Sequence, residues 1–296
     1  MVRTRTVLLL AVALCGAATT LDSELGVGKA INIFMRYGYL SICMRVVPRN
    51  DTEGWVFREP TVTVFREVEQ YSIAPTPRQA NTLFDGDFHM EFCDNLKQLL
   101  QAYFRDFTFE RLERPWRAFT AGWPTDIMAK NLGINSSFIN GDHCYVLVRV
   151  SRFRETGKLS DLPSNIAVED VVFDAIQEST IGDTASVADF IRKYGSHYIS
   201  SYITGNSLYQ VASGNKTVEN WATKRLRVHY YIFSYPSLLK LHGEPSLLRN
   251  LDSLLGNEAL LQLELKTLSP AFKDAKKKKW FEEVIDNYLK LWESNM

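Results

Sequence analysis

The stretch Val187 to Val211, VADFIRKYGSHYISSYITGNSLYQV, changes period in its middle, and that change restricts the fold more than any other segment does. From Val187 to Tyr194 the apolar residues Val187, Phe190, Ile191 and Tyr194 fall three and four apart, while Asp189, Arg192 and Lys193 interleave. This spacing predicts a short helix with one face docked on the rest of the protein. Gly195 ends the helix, because a residue without Cβ takes the backbone that a helix needs where the chain reverses. From Tyr198 the period becomes two: Tyr198, Ser200, Tyr202 and Thr204 take one side, Ile199, Ser201 and Ile203 the other. β-branched and aromatic residues at that spacing predict a strand. Gly205-Asn206 is expected to bend it.

The sequence Tyr194-Gly195-Ser196-His197-Tyr198 resembles the signature of the membrane-attack-complex/perforin (MACPF) family, an aromatic residue, then Gly-Thr-His and a second aromatic. Ser196 stands in place of Thr and keeps the hydroxyl that can bond a turn. Gly205-Asn206 stands where many members have paired glycines, which are thought to act as a hinge. Gly26-Val27-Gly28 is similar to the opening of such a domain. The resemblance implies an α+β fold, a bent and twisted antiparallel four-stranded central sheet flanked by helical clusters. Tyr194, Gly195, Ser196, His197, Tyr198 and Gly205 are its structural signature residues.

Residues 1–18 carry Arg3 and Arg5, the apolar run Val7 to Leu14, then small residues, the pattern of a secretory signal peptide. The run falls short of the roughly 20 apolar residues that span a bilayer. A single domain over 19–296 is expected, secreted and extracellular. The whole chain has 34 basic and 34 acidic residues, so loss of Arg3 and Arg5 leaves 32 against 34. Near-neutral charge argues against nucleic acid as a partner. Secretion agrees with three glycosylation sequons, at Asn50, Asn135 and Asn215. Cys43, Cys93 and Cys144 remain after the signal, an odd number; one disulfide and one thiol is the simplest outcome, with all three pairings open.

Elsewhere, Glu59 to Val68 predicts a strand, Phe92 to Phe107 an amphipathic helix, and Cys144 to Arg154 a further strand within Ser136 to Arg152 and its continuation. The strands at 61–68 and 198–204 are its expected partners. Leu260 to Leu268 reads as the last strand and ends at Ser269-Pro270; Trp280 to Trp292 makes a broad apolar helix. The segments 224–233 and 247–255 suggest an exposed strand and a helix. Lys276 to Lys279 precede the final helix as a charged lead-in and are candidates for contact with an anionic membrane or matrix surface.

Nothing in the sequence points to catalysis. His89, His143, His197, His229 and His242 show no metal-ligand spacing, and no nucleophile elbow, P-loop or GxGxxG fingerprint occurs. No cofactor and no enzymatic activity are expected, and His197 is expected to serve the fold. A secreted chain that is almost all MACPF-like domain resembles a non-cytolytic branch of the family. That branch implies an extracellular factor helping a ligand activate a receptor tyrosine kinase, with ligand or receptor as partner. The competing class is a pore-forming immune effector. Its two refolding clusters would lie near 81–130 and 212–258, and each would have to supply alternating strands. Pro115, Pro124, Pro236 and Pro245 interrupt them.

Overall fold

The computed structural model describes residues 22–24, 26–34, 46–48, 55–68, 70–72, 87–120, 123–140, 143–160, 162–163, 165–215 and 259–294. The signal segment, Cys43, Asn50 and the segments at 224–233 and 247–255 lie outside these residues; of a turn expected over Ser72 to Gln79 from its two prolines, only Ser72 is described, and it belongs to a strand. In chain order the strands are β1 (Asp22–Glu24), β2 (Lys29–Ile31), β3 (Val46–Pro48), β4 (Trp55–Thr63), β5 (Gln70–Ser72), β6 (Asp87–Cys93), β7 (Phe107–Phe109), β8 (His143–Leu159), β9 (His197–Asn215) and β10 (Ala259–Thr267). The helices are α1 (Leu96–Tyr103), α2 (Arg117–Thr120), α3 (Thr125–Leu132), α4 (Asp170–Glu178), α5 (Thr184–Tyr194) and α6 (Ala275–Ser294).

The architecture is α+β. Four antiparallel strands form its centre, in the order β6, β8, β9, β10. β8 and β9 run alongside each other from His143↔Asn215 to Lys158↔Ser201, with an irregularity between Phe153 and Glu155. β5 continues the outer edge of β8 beyond β6, from Gln70↔Leu159 to Ser72↔Gly157. β2 occupies the beginning of β9 on the edge that β8 takes further along.

Several sequence expectations change here, each for a local reason. The strand at 61–68 does not partner 143–152. β4 ends at Thr63 and pairs with β1, β2 and β3. Phe65 instead bridges Val168 and meets the Tyr198 ring edge-on at 5.3 Å, while Arg66 reaches Asp170 at 2.6 Å. The helix expected over 92–107 shortens to α1. Phe92 and Phe107, which continue its apolar spacing, belong to β6 and β7. Asn95 sets its start, its side chain accepting from Gln98 N at 2.9 Å. β7 was not expected at all; it joins the sheet parallel to β10, Leu263↔Phe107 to Leu265↔Phe109.

β9 does not stop at Gly205-Asn206 but continues to Asn215. β8 likewise runs past Arg152 to Leu159 and passes through Gly157. A glycine inside a strand marks a close approach. A Cβ on Gly157 would sit 2.4 Å from the Tyr202 ring, which crosses the strand so that its hydroxyl donates to Glu155 Oε1 at 2.6 Å.

Helices α5 and α6 pack together through aromatic residues. Phe190, Phe272 and Phe281 are buried, with centroids 4.4 Å apart for Phe272–Phe281 and 5.2 Å for Phe190–Phe272. Val187 and Ile191 from α5 and Val284, Ile285 and Leu289 from α6 complete this core. Each such burial is worth roughly 1.5–3 kcal/mol relative to exposure. α6 begins at Ala275, so Lys276 to Lys279 form its first turns and are not a lead-in.

Candidate functional site

The signature residues sit where α5 hands the chain to β9. Asp183 starts α5, its Oδ1 accepting from Ala185 N at 2.9 Å. Gly195 ends it, donating to Ile191 O at 2.9 Å with φ 93° and ψ 174°. This backbone region belongs almost entirely to glycine. The turn lies against the β2 backbone: a Cβ on Gly195 would meet the N, C and O of Ile31, each at 3.0 Å. Ser196 N then donates to Ile31 O, and Ser196 O accepts from Leu268 N, both at 3.0 Å.

Ser196 and His197 are fully buried. Ser196 Oγ accepts from Ile33 N at 3.2 Å and lies 3.0 Å from His197 Nδ1. His197 Nε2 lies 3.2 Å from the Glu110 carbonyl. A carbonyl only accepts, so Nε2 carries the imidazole proton. Nδ1 is then an acceptor, to which the Ser196 hydroxyl donates in preference to Ile31 O at 3.4 Å. Burial drives the His197 pKa down to about 4, although the Glu110 carbonyl and carboxylate both favour the charged ring.

Glu110 extends this network. Its carboxylate accepts from Thr267 N at 2.6 Å and Thr267 Oγ1 at 2.9 Å, and Thr267 Oγ1 is 2.8 Å from Ser269 Oγ. The next residue, Arg111, has φ 67° and bonds Asp286 of α6 at 2.6 Å. The signature therefore joins β2, the end of β7, both long strands β9 and β10, and α6. Tyr194 donates to Val171 O at 3.2 Å, and Tyr198 is buried beside Phe65. Gly205 is buried opposite Phe153 and Ala259. Chemically, the paired Ser196 and His197 form a sealed structural bond, since neither side chain reaches solvent.

The lysine run divides by role. Asp274 accepts from Lys276 N at 2.8 Å and Lys277 N at 2.9 Å, which offsets four cations at a helix start and holds its own carboxyl below the usual range. Lys277 Nζ donates to Ile176 O at 2.8 Å and Gln177 O at 2.7 Å, capping the carbonyl end of α4. Lys276, Lys278 and Lys279 are exposed, with Lys279 3.8 Å from Glu283.

Of the sequons, Asn135 is exposed and caps a 3-10 turn, its Oδ1 accepting from Ser137 N at 3.0 Å. Asn215 is the last residue of β9, and Asn50 lies outside the described residues. Cys93 and Cys144 are both buried, and their ladder positions prevent a mutual bond. Cys93 stands opposite Tyr145, so Cys144, one residue away, faces the other side of the sheet. Burial, then Glu91 and Asp94, pushes the Cys93 thiol up to about 12. Cys43 lies outside the described residues.

Sequence reasoning missed a pocket of about 190 Å³ on the sheet face beside β7. Asp106 approaches it from the turn after α1 and pairs with buried Arg149 of β8; Arg105 reaches His89 at 2.8 Å and Glu91 at 3.4 Å. Ser151, Phe153 and Gln262 also line it. The alternation of Arg149, Ser151 and Phe153 along one face was the one available signal.

No family model matches the chain, and no curated protein does. Among solved structures, it is similar to a MAC/perforin-domain protein from Bacteroides thetaiotaomicron, with 10% identity and a TM-score of 0.47 over 91% of this chain and 61% of that one. GNIP1Aa from Chromobacterium piscinae matches at 10% identity and a TM-score of 0.45, over 93% and 56%. Astrotactin-2, a perforin-like vertebrate membrane protein involved in neuronal development, matches at 15% identity and 0.40, over 83% and 45%. The chain thus spans less than two thirds of each of these structures.

Proposed function

We propose that this chain is a secreted, non-enzymatic MACPF-domain factor of extracellular signalling. It resembles the torso-like protein, which promotes ligand-dependent activation of the receptor tyrosine kinase Torso in embryonic terminal patterning. Its partner is an extracellular ligand or receptor of that pathway, with matrix or a membrane surface as a second contact through the exposed lysines of α6.

The observation that carries the signalling reading, against a pore-forming effector that oligomerises on membranes, is the attachment of the first helical cluster to the sheet. β7 lies in this cluster and is a strand of the resting sheet. Leu263 N donates to Asp106 O at 3.1 Å and Glu110 N to Leu265 O at 2.9 Å, bracketing the parallel ladder. Asp106 also holds buried Arg149, and Phe104, Phe107, Phe109 and Phe119 pack ring against ring. Refolding the cluster at 81–130 into membrane hairpins would strip these backbone bonds, separate Asp106 from Arg149 and unpack the four rings.

Purified mature protein is expected to release no dye from liposomes while binding an extracellular ligand or receptor. Dye release, or arcs and rings on the membrane, would overturn the signalling reading. Mass spectrometry of secreted material should place the N-terminus near Ala18 and show a loss of mass on glycosidase treatment, from glycans on some of Asn50, Asn135 and Asn215. An intact Met1 on secreted material, or an unchanged mass, would remove the basis for an extracellular role.

A further inference from the structure

We propose that the pocket between the Asp106 turn and the face of β8, β9 and β10 binds one neutral sugar ring. Its polar lining comprises Arg105, Asp106, Arg149, Ser151 and Gln262; Phe153, Ile203 and Leu261 supply the apolar walls. Ser151 is 1% exposed, and its hydroxyl has no hydrogen-bond partner among the described residues. A buried hydroxyl left in this condition is unfavourable and calls for a ligand or an ordered water. Its position in a pocket with both donors and acceptors indicates what such a ligand must offer.

The charges select among ligand classes. Of the lining side chains Arg105 and Arg149 are cationic and Asp106, paired to Arg149, is anionic; Glu91, outside the lining but 3.4 Å from Arg105, supplies the second carboxylate. Their sum is zero. A simple anion would meet Asp106, a cation would meet the guanidinium groups, and an apolar molecule would bury the polar lining and leave the Ser151 hydroxyl without a partner. A neutral molecule with several hydroxyls donates and accepts around its whole edge and matches this lining.

Phe153 specifies the rest of the ligand. It is an aromatic residue on the pocket wall that remains 38% exposed. The C–H face of a pyranose is apolar and flat enough to cover such a ring. Size agrees as well: a cavity of about 150 Å³ holds benzene, so 190 Å³ takes one six-membered ring with substituents and excludes a longer chain.

The test is saturation-transfer NMR on the full mature protein with D-glucose, D-galactose, D-mannose and N-acetyl-D-glucosamine, with inorganic phosphate as a separate thermal-shift arm. At least one sugar is expected to receive saturation on its ring protons. Phe153→Ala, at an exposed position, should weaken binding roughly fivefold. Ser151→Val, which fills the space and removes the hydroxyl, should abolish it while circular dichroism stays native. Asp174→Asn, at an exposed position of α4 away from the pocket, should leave it unchanged. The proposal is overturned if folded wild-type protein transfers saturation to none of the four sugars, or if Ser151→Val or Phe153→Ala binds as wild type does. Thermal stabilisation by phosphate that is lost in Ser151→Val would identify an anion site instead and would equally overturn it. None of these outcomes depends on liposome leakage, so the signalling reading stands or falls separately.

Discussion

Gly195→Val is expected to abolish secretion of folded protein, and Gly195→Ala to reduce it severely. Two independent effects add at this position. The backbone at φ 93° and ψ 174° lies in a region that side-chain-bearing residues occupy only under strain, at a cost of roughly 1–3 kcal/mol. The new Cβ then lies 3.0 Å from three backbone atoms of Ile31, and a strand backbone cannot rotate away as a side chain can. Overpacking of this kind adds roughly 1–3 kcal/mol. A whole domain is stable by only about 5–15 kcal/mol, so the combined loss leaves a large unfolded fraction for cellular quality control. Secreted yield and urea unfolding of any recovered protein measure the effect. Wild-type yield and midpoint for Gly195→Val would show that the turn can adopt another backbone.

The second large effect is a loss of stability on mild acidification, centred on His197. Its ordinary pKa of 6.5 applies to the unfolded chain, while burial holds the folded value at about 4. Above pH 6.5 both states carry neutral imidazole and the folded state keeps its full stability. As the pH falls below 6.5, the unfolded chain takes up a proton that the native ring refuses, so stability declines until the native ring titrates near pH 4, where the decline levels off. The gap corresponds to about 3 kcal/mol. Urea unfolding between pH 7.5 and pH 4 should show this slope, and His197→Gln, less stable at neutral pH, should lose its share of it. A wild-type curve that is flat between pH 6.5 and pH 5 would contradict the buried, neutral ring.

The elements that could be read from sequence are those whose signal is local. Val187, Phe190 and Ile191 announce α5, and its glycine stop and the alternation from Tyr198 onward announce β9. Each depends on neighbours within one or two turns. What could not be read depends on distant partners. Gly157 lies beyond the strand expected from the alternation, and its place inside β8 makes sense only once Tyr202 is seen to fill the space of a missing side chain. Phe107 continues the spacing of α1, but three residues of it gain more by joining β10. Arg66 belongs to an alternating run, yet Asp170 draws it towards α4. The pocket was hidden for the same reason, since Arg105, Ser151 and Gln262 come from three separate stretches. The Ser196–His197 pair was visible as a motif, whereas its enclosure by Ile31, Glu110 and Leu268 required the fold.

β9 accepts two neighbours on one edge, β2 at its start and β8 along the rest, while β10 lines the other edge from Gly205 back to His197. These partners lie far apart in sequence, at Lys29–Ile31, His143–Leu159 and Ala259–Thr267. During synthesis, β9 therefore emerges with one edge ready to pair and the other open until residues 259–267 follow. Contacts that span so much sequence close slowly, and an open, alternating edge in the meantime invites pairing with another chain. A nascent chain halted before β10 would thus present the long central strand as an adhesive surface.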